Sequence, residues 1–395
     1  MQLDSIKMQY RQDKKSGNQL SVLGMGCMRF PSSKEKTEEI LLKAIENGIN
    51  YFDTAYIYHG SEEILGEIFE KHHLRKQIYI ATKLPQAMCK QARDFDRFFD
   101  IQKKRLRTDY IDYYHMHNFT DFAQWQHLCN LGIEDWIKKK QNSGEIKQIG
   151  FSFHGTNDEF KKIIDAYAWD FVLIQYNYIN INYQAGVEGI KYAHEKGMPV
   201  FIMEPLLGGK LASLPKKAQA VLKSDAPDTT GASLALRWIW AQEEITLLLS
   251  GMNHMSQLEE NILLAKTALP NSLSKIEHGA IEKIKDIFNK SYKIPCTGCN
   301  YCLPCPKKLN IPAFFEAYNN SYAIGYYTGM HQYILSMGSF NKENNYASNC
   351  IKCGICEIKC PQHINIQKKL KSVKKRFHFP GMKLVLKIVK KRMSK

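Results

Sequence analysis

Between residue 20 and about residue 270 the sequence alternates short apolar, β-branched or aromatic runs with longer stretches of helical period, eight times over. The short runs are INYFDTAY, QIYIATKLP, YIDYYHMH, IKQIGFSF, FVLIQYNY, MPVFIMEP and ITLLLSG, preceded by an opening run around SVLGMGCM. Each has the length and residue types of a buried strand. Between them, segments such as KEKTEEILLKAIENG and DEFKKIIDAYA repeat apolar residues every three to four positions, as a helix with one buried face does. This alternation, over this total length, predicts an α/β fold in which eight parallel strands close into a TIM barrel rather than an open sheet. The segment MQYRQDKKSGNQLSVL, with Ser16-Gly17-Asn18 between two alternating runs, predicts a hairpin plugging the barrel floor. Ser256-Gln257-Leu258-Glu259 fits a capping box opening the eighth helix, and Gly197 before Met198-Pro199 fits a helix stop.

Cysteine marks where that pattern ends. Eight of the 11 cysteines follow residue 295, leaving Cys27, Cys89 and Cys129 scattered through the front part as expected core or surface residues. The texture after residue 290 turns to Cys, Pro and Gly with little periodicity. The expected division is a barrel over residues 1–291, a cysteine-rich domain over 292–370 and a basic tail over 371–395, with the boundary near Tyr292. The start of the chain shows no basic-then-apolar signal, and no apolar run approaches the roughly 18 residues a bilayer span needs. The expected location is therefore cytoplasmic, and in a reducing compartment clustered cysteines read as metal ligands rather than disulfides.

Four expected strand ends carry an unusual set of side chains. Asp53 and Tyr58 end the second strand, Lys83 the third and His117 the fourth, all where a barrel of this kind gathers its reactive groups. The pattern resembles the aldo/keto reductases. Asp53-Thr54-Ala55-Tyr56-Ile57-Tyr58, followed by Gly60 and Ser61-Glu62, matches their second strand; Thr82-Lys83 matches the third, and Asp112 to His117 the fourth. A phenol is a poor acid at neutral pH, and a neighbouring ammonium lowers its pKa by favouring phenolate. The resemblance implies that Tyr58 protonates a carbonyl oxygen as a nicotinamide hydride attacks the carbon. Lys83 supplies the ammonium, Asp53 holds Lys83, and His117 orients the carbonyl. Tyr56 and His115, close by, are expected to pack or to support.

The same resemblance implies a nicotinamide cofactor, NADP or NAD. Ser152 and Gln175 would hydrogen-bond its carboxamide. Gly208, Gly209, Ser250, Gly251 and Asn253 would form phosphate loops, with Gln257 at the start of the helix whose positive end faces an anion. Glu260 and Asn261 match positions near the adenine. Two features depart from the family pattern. Met203 stands where many members stack an aromatic ring on nicotinamide, and no Lys or Arg lies between Ser250 and Asn261 to grip a 2′-phosphate.

The first cysteine run is Cys296-x2-Cys299-x2-Cys302-x2-Cys305-Pro306, and the second is Cys350-x2-Cys353-x2-Cys356-x3-Cys360-Pro361. The second has the bacterial ferredoxin spacing, in which three close thiolates wrap one cube and the fourth reaches the other. By that rule Cys296, Cys299, Cys302 and Cys360 hold one [4Fe-4S] cluster, and Cys305, Cys350, Cys353 and Cys356 hold a second. Paired Cys-x2-Cys also suits zinc, which is the competing reading, although zinc prefers two pairs well apart in sequence. Dicluster segments of this kind occur in one group of aldo/keto reductases, which the chain resembles up to about residue 370.

Residues 366–395 hold 12 Lys or Arg and no Asp or Glu, so only +4 of the formal +16 belongs to the rest of the chain. The part after Pro380 fits a short amphipathic basic helix, a candidate for peripheral contact with anionic membrane or an acidic partner. No base-stacking platform or recognition helix accompanies the charge, and nucleic acid is not an expected partner. The expected function is an oxidoreductase acting on a small carbonyl or alcohol, with a ferredoxin or flavoprotein as candidate electron partner. The alternative is an iron-sulfur electron-transfer or interaction protein whose barrel no longer uses nicotinamide.

Overall fold

The computed structural model describes residues 7–337 and 345–379. Two short strands, β1 (Tyr10–Gln12) and β2 (Gln19–Ser21), form the expected antiparallel hairpin, with Gly17 at φ +80° in its turn. Eight parallel strands follow: β3 (Leu23–Gly26), β4 (Tyr51–Asp53), β5 (Tyr79–Leu84), β6 (Ile111–Phe119), β7 (Ile146–Phe153), β8 (Phe171–Gln175), β9 (Val200–Met203) and β10 (Ile245–Ser250). They hydrogen-bond in chain order, and β10 pairs with both β9 and β3 to close the barrel. All eight predicted runs are barrel strands.

Successive strand residues face opposite sides, and that alternation decides what lies inside. Tyr51, Ala81, Tyr113, Phe171, Phe201 and Leu247 pack into one interior cluster with Leu20 of the hairpin. The intervening Phe52, Ile80, Tyr114, Met116, Val172 and Ile202 pack outward in the larger core that takes in the helices. Two residues beyond Tyr51, Ala81 and Tyr113 come Asp53, Lys83 and His115, and His117 follows at the next inward step. The floor is closed by polar contacts: the Tyr113 hydroxyl donates to Asp13 Oδ2 at 2.8 Å, and Asn18 Nδ2 donates to Tyr113 Oη at 3.0 Å.

Local signals are mixed. Gly197, at φ +67°, follows the helix Gly186–Glu195 as a left-handed stop, as the sequence implied. The helix expected to open on a capping box at Ser256 instead starts at Met255 with His254 as its N-cap and no side-chain cap.

By internal packing the chain forms two compact units, one of Met1–Leu206 with Ala232–Ser274 and one of Leu207–Gly231 with Lys275–Lys395. Leu207–Gly231 and the helix Lys275–Ser291, expected with the barrel, thus belong to the second unit. That unit has more regular structure than its sequence texture implied, with helices Ile311–Ala323, Tyr326–Ser336, Ile355–Ile358 and Ile366–Phe377. Ile366, Leu370, Val373 and Phe377 recur at helical spacing and are all buried. The start of the expected basic tail, 371–377, is therefore part of a packed helix, while the amphipathic segment expected after Pro380 lies outside the described residues. Asn319 fastens the entry to this unit, accepting from the Ile294 backbone at 2.9 Å and donating to its carbonyl at 2.7 Å.

Candidate active site and cluster sites

At the C-terminal ends of β4, β5 and β6 the four expected catalytic residues come together. Lys83, 1% exposed, donates from Nζ to Asp53 Oδ1 at 2.5 Å and to the Thr54 carbonyl at 2.6 Å. Its ammonium lies 5.1 Å from the centre of the Tyr58 ring, and the Tyr58 and His117 rings meet edge-on with centroids 6.0 Å apart. Tyr58 is half-buried at the head of the turn leading to the helix Ser61–Lys71. Its N–H reaches the Ala55 carbonyl and its own carbonyl accepts from Ser61 N, so the turn backbone fixes where the phenol stands.

The electrostatics follow from burial. Desolvation pushes the Lys83 ammonium below its ordinary pKa and the Asp53 carboxyl above its own, each opposed by the charge of the other. His115 and His117 are both held well below the ordinary imidazole value, first by burial and then by the Lys83 charge. A histidine so shifted is neutral at pH 7 and offers one N–H and one lone pair.

Behind the quartet lies a buried polar network that the motifs did not reveal. Glu62 Oε1 accepts from Thr82 Oγ1 at 2.6 Å and from Gln102 Nε2 at 2.8 Å; Gln102 also donates to the Lys83 carbonyl at 3.0 Å. Arg105 closes the other side, pairing with Glu62 Oε2 at 3.1 Å and lying over the Tyr56 ring at 4.7 Å. Tyr56 thus packs and braces, as expected. His115 stands beside Asp53, Nε2 to Oδ2 3.6 Å, with its ring edge-on to Phe171. Asp112, although part of the fourth-strand motif, works away from the chemistry: it accepts from Ile80 N at 2.9 Å and pairs with Arg75 at 2.8 Å.

The expected cofactor residues are less uniform. Ser152 and Gln175 are buried at the ends of β7 and β8, and Met203 ends β9 partly buried. Ser152 Oγ accepts from Asn118 N at 2.7 Å, while the buried Asn118 Oδ1 has no hydrogen-bond partner. An orphaned acceptor there suits a carboxamide N–H, and Asn118 was not among the residues singled out from sequence. Ser250 and Asn261 are bonded to each other, Nδ2 to Oγ 3.0 Å, and Asn253 N donates to Gln257 Oε1 at 3.1 Å. Gly251 continues from β10, and Glu260 lies within the helix Met255–Lys266. Gly208 and Gly209 fall in the second unit, at φ +67° and +89°. A Cβ on Gly208 would stand 2.2 Å from the Thr297 carbonyl oxygen, so this glycine lies tight against the first cysteine loop.

The eight clustered thiols fall into the two predicted groups. Cys296, Cys299, Cys302 and Cys360 line one cavity, and Cys305, Cys350, Cys353 and Cys356 line another that Cys302 also borders. The thiol of Cys302 is pushed up to about 12 by burial and by its neighbours Cys296, Cys299 and Cys360. That of Cys356 is pushed up to about 11 by burial, Glu357, Cys350 and Cys305. Thiols crowded in this way ionise only when a cationic centre compensates them, which is the chemistry of a cluster site. Among the described residues no three Cys, His, Asp or Glu side chains are arranged to hold a single metal ion. Four thiols lining each cavity make a donor set that fits a [4Fe-4S] cube.

Comparison with known proteins agrees. The family described as "Aldo/keto reductase family" matches residues 22–285, and "4Fe-4S dicluster domain" matches residues 295–364. Aldo-keto reductase yakc of Schizosaccharomyces pombe, whose name carries NADP(+), is 24% identical over 66% of this chain and 89% of its own. L-galactose dehydrogenase of Arabidopsis thaliana is 27% identical over 71% of this chain and 97% of its own. Among solved structures, the holo form of aldo-keto reductase AKR11C1 from Bacillus halodurans is similar at 25% identity and TM-score 0.59, covering 70% of this chain and 96% of that one.

Proposed function

The chain belongs to the aldo/keto reductase family and carries a C-terminal 4Fe-4S dicluster domain, and from that premise we propose that it interconverts a small carbonyl and its alcohol at Tyr58. NADPH or NADH, when bound, supplies or accepts the hydride. The observation that carries the reading is the buried Lys83–Asp53 pair placed against the Tyr58 ring. Tyr58 donates its phenolic proton to the carbonyl oxygen, and the Lys83 ammonium stabilises the phenolate left behind. Asp53 and the Thr54 carbonyl fix Lys83 at that distance. Neutral His117 holds the oxygen through an imidazole N–H without placing a second cation beside Lys83. Ser152, Gln175 and Asn118 are the groups suited to a carboxamide. Ser250, Asn253, Gln257, Glu260 and Asn261 are suited to the dinucleotide, with the uncapped start of the helix Met255–Lys266 toward phosphate.

Cys296, Cys299, Cys302 and Cys360 would hold one [4Fe-4S] cluster, and Cys305, Cys350, Cys353 and Cys356 the other, supplying one-electron capacity beside the barrel's two-electron chemistry. A ferredoxin or flavoprotein is the fitting class of partner. A second reading, an electron carrier whose barrel has lost nicotinamide, draws support from the Ser250–Asn261 pairing, since two expected dinucleotide ligands satisfy each other there.

Anaerobic purification, iron and sulfide analysis, and titration with NADPH and NADH by nicotinamide fluorescence test both readings. Binding of nicotinamide, with carbonyl reduction falling by roughly 10²–10⁴ in Tyr58→Phe, supports the reductase. Clusters without nicotinamide binding at millimolar concentration support the carrier.

A further inference from the structure

We infer that the segment Cys350–Cys360 is the docking face for an acidic one-electron carrier, with Ile351, Ile355 and Ile358 as its apolar centre and Lys352 and Lys359 on its rim. The inference rests on the proposed cluster held by Cys305, Cys350, Cys353 and Cys356.

Three large aliphatic side chains within eight residues stand in solvent: Ile351 is 56% exposed, Ile355 42% and Ile358 88%. Each leaves much of its apolar surface in water, where burial against a partner would be favourable. A single exposed isoleucine is ordinary, but a group of them marks a contact surface. Ile355 and Ile358 are three apart in one helical turn and so neighbour each other. Ile351 and Ile355 line the cavity of the second thiol group. Cys353, between them, is the exposed member of the eight clustered cysteines. The apolar centre therefore surrounds Cys353, the most exposed of the thiols that would hold the second cube.

The surrounding charge selects the partner. Lys352 and Lys359 flank the patch and are exposed, as are Lys307 and Lys308 after Cys305-Pro306. Residues 293–379 carry twelve Lys or Arg against three Glu. One of those three, Glu357, is taken up by Gln367, whose N–H donates to Oε1 at 2.8 Å. The negative charge of two thiolate-ligated cubes offsets part of this excess. Transient electron-transfer contacts are small, with an apolar centre and a charged rim. An acidic carrier with a modest apolar patch around its own cofactor complements both. Nucleic acid would call for aromatic stacking at the patch, where there are isoleucines. In the transfer one electron leaves the reduced carrier and enters the cube, which passes from its oxidised to its singly reduced state with no bond made or broken.

The test uses the full chain with clusters intact, mixed anaerobically with a reduced acidic flavodoxin in a stopped-flow instrument and followed by cluster absorbance. Dithionite serves as the small reductant for comparison. Steered association falls from as much as about 10⁸ M⁻¹s⁻¹ toward about 10⁶ M⁻¹s⁻¹ once charge attraction is removed. The second-order rate is therefore expected to drop steeply with added salt. Lys352→Glu with Lys359→Glu is expected to slow it about tenfold at low salt, and Ile358→Ser, at the one patch isoleucine outside the cavity lining, to weaken calorimetric affinity for the oxidised flavodoxin severalfold. Iron content and dithionite reduction stay unchanged in both variants. Intact clusters that dithionite reduces, but whose flavodoxin rate ignores salt and both variants, would overturn the docking face. A purified chain without iron and sulfide would sink the cluster assignment itself, and the docking face with it.

Discussion

The two reactive regions are built on opposite plans. In the barrel, Asp53, Lys83 and His117 stand on strands, and their positions are set by the inward step of a closed sheet packed on both faces. Around the cysteines seven of the eight donors stand outside regular elements, with Cys356 in the helical turn Ile355–Ile358, and they line two cavities at the edge of a smaller core. The first arrangement exists before any ligand binds, because β-sheet hydrogen bonds and burial hold it. In the second, the donors come from separate stretches of chain, Cys296–Cys305 and Cys350–Cys360, and under the proposed reading the clusters would join them.

The largest expected effect breaks this contrast open. Chelating the iron, or changing Cys356 to Ser, is expected to abolish the cooperative unfolding transition of the second unit while leaving the barrel folded. Hydrogen exchange checks it: amides of Ile311–Ala323 and Ile366–Phe377 lose protection, and those of β5 through β8 keep theirs. Equal loss in both units would show that the barrel depends on the clusters after all.

The complementary perturbation lies in the barrel. Lys83→Met removes the cation from a pocket in which Asp53 is 4% exposed. Leaving one charge of a buried pair behind costs about 3–5 kcal/mol, partly relieved as Asp53 takes up a proton. Thermal unfolding of the barrel is expected to fall accordingly, with carbonyl reduction lost and iron content unchanged. Lys83→Met with Asp53→Asn, which removes both charges, is expected to recover much of the stability and none of the activity.

Gly208 sharpens the comparison, because sequence placed it with the barrel's phosphate loops and packing places it against Thr297 in the second unit. Gly208 and Gly209 both have positive φ, so an alanine at either strains the backbone by about 1 kcal/mol. Only at Gly208 does the new Cβ also meet a backbone carbonyl, at 2.2 Å, between Cys296 and Cys299; at Gly209 it meets nothing within 4 Å. Gly208→Ala is therefore expected to disturb the electron paramagnetic resonance signal of the first cluster and lower its iron occupancy, and Gly209→Ala to leave both alone. Matched losses of nicotinamide affinity with normal clusters would instead restore the phosphate-loop role.

What could be read from sequence follows the same divide. Short apolar, β-branched or aromatic runs between segments of helical period identified all eight strands, and once Asp53, Lys83 and His117 were placed at strand ends their meeting followed from barrel geometry. Cysteine spacing was equally direct, since ligand order along a chain is itself the signal. The helix Ile311–Ala323 was missed because its buried face includes Asn319, Asn320 and Ser321, which blur apolar periodicity. Gln102 and Arg105 were invisible because they sit on a helix some 40 residues from the Glu62 they serve. Asn118 looked like one polar residue after a motif; only the orphaned oxygen beside Ser152 singles it out.

The smallest expected effect concerns His115, an imidazole of the inner barrel to which the proposed chemistry gives no proton. It is fully buried and faces Lys83 across the β5–β6 register, Asp53 at 3.6 Å and His117 two residues on. Its pKa in the folded chain lies well below the ordinary value, whereas in the unfolded chain it returns to roughly 6.5. Below that pH the unfolded chain binds a proton that the folded chain does not, so stability rises with pH and is lost as pH falls. The slope is about 1.4 kcal/mol per pH unit for each such group. His117 contributes in the same sense, and Asp53, raised by burial, in the opposite one. Comparing the native chain with His115→Leu cancels their common part. Between pH 6.5 and 5 the variant is expected to lose stability less steeply, by roughly one proton's worth, in urea titrations of the barrel. Identical slopes would mean that His115 takes up its proton in the fold as readily as in the unfolded chain, making it a counter-charge of Asp53 at low pH rather than a neutral neighbour.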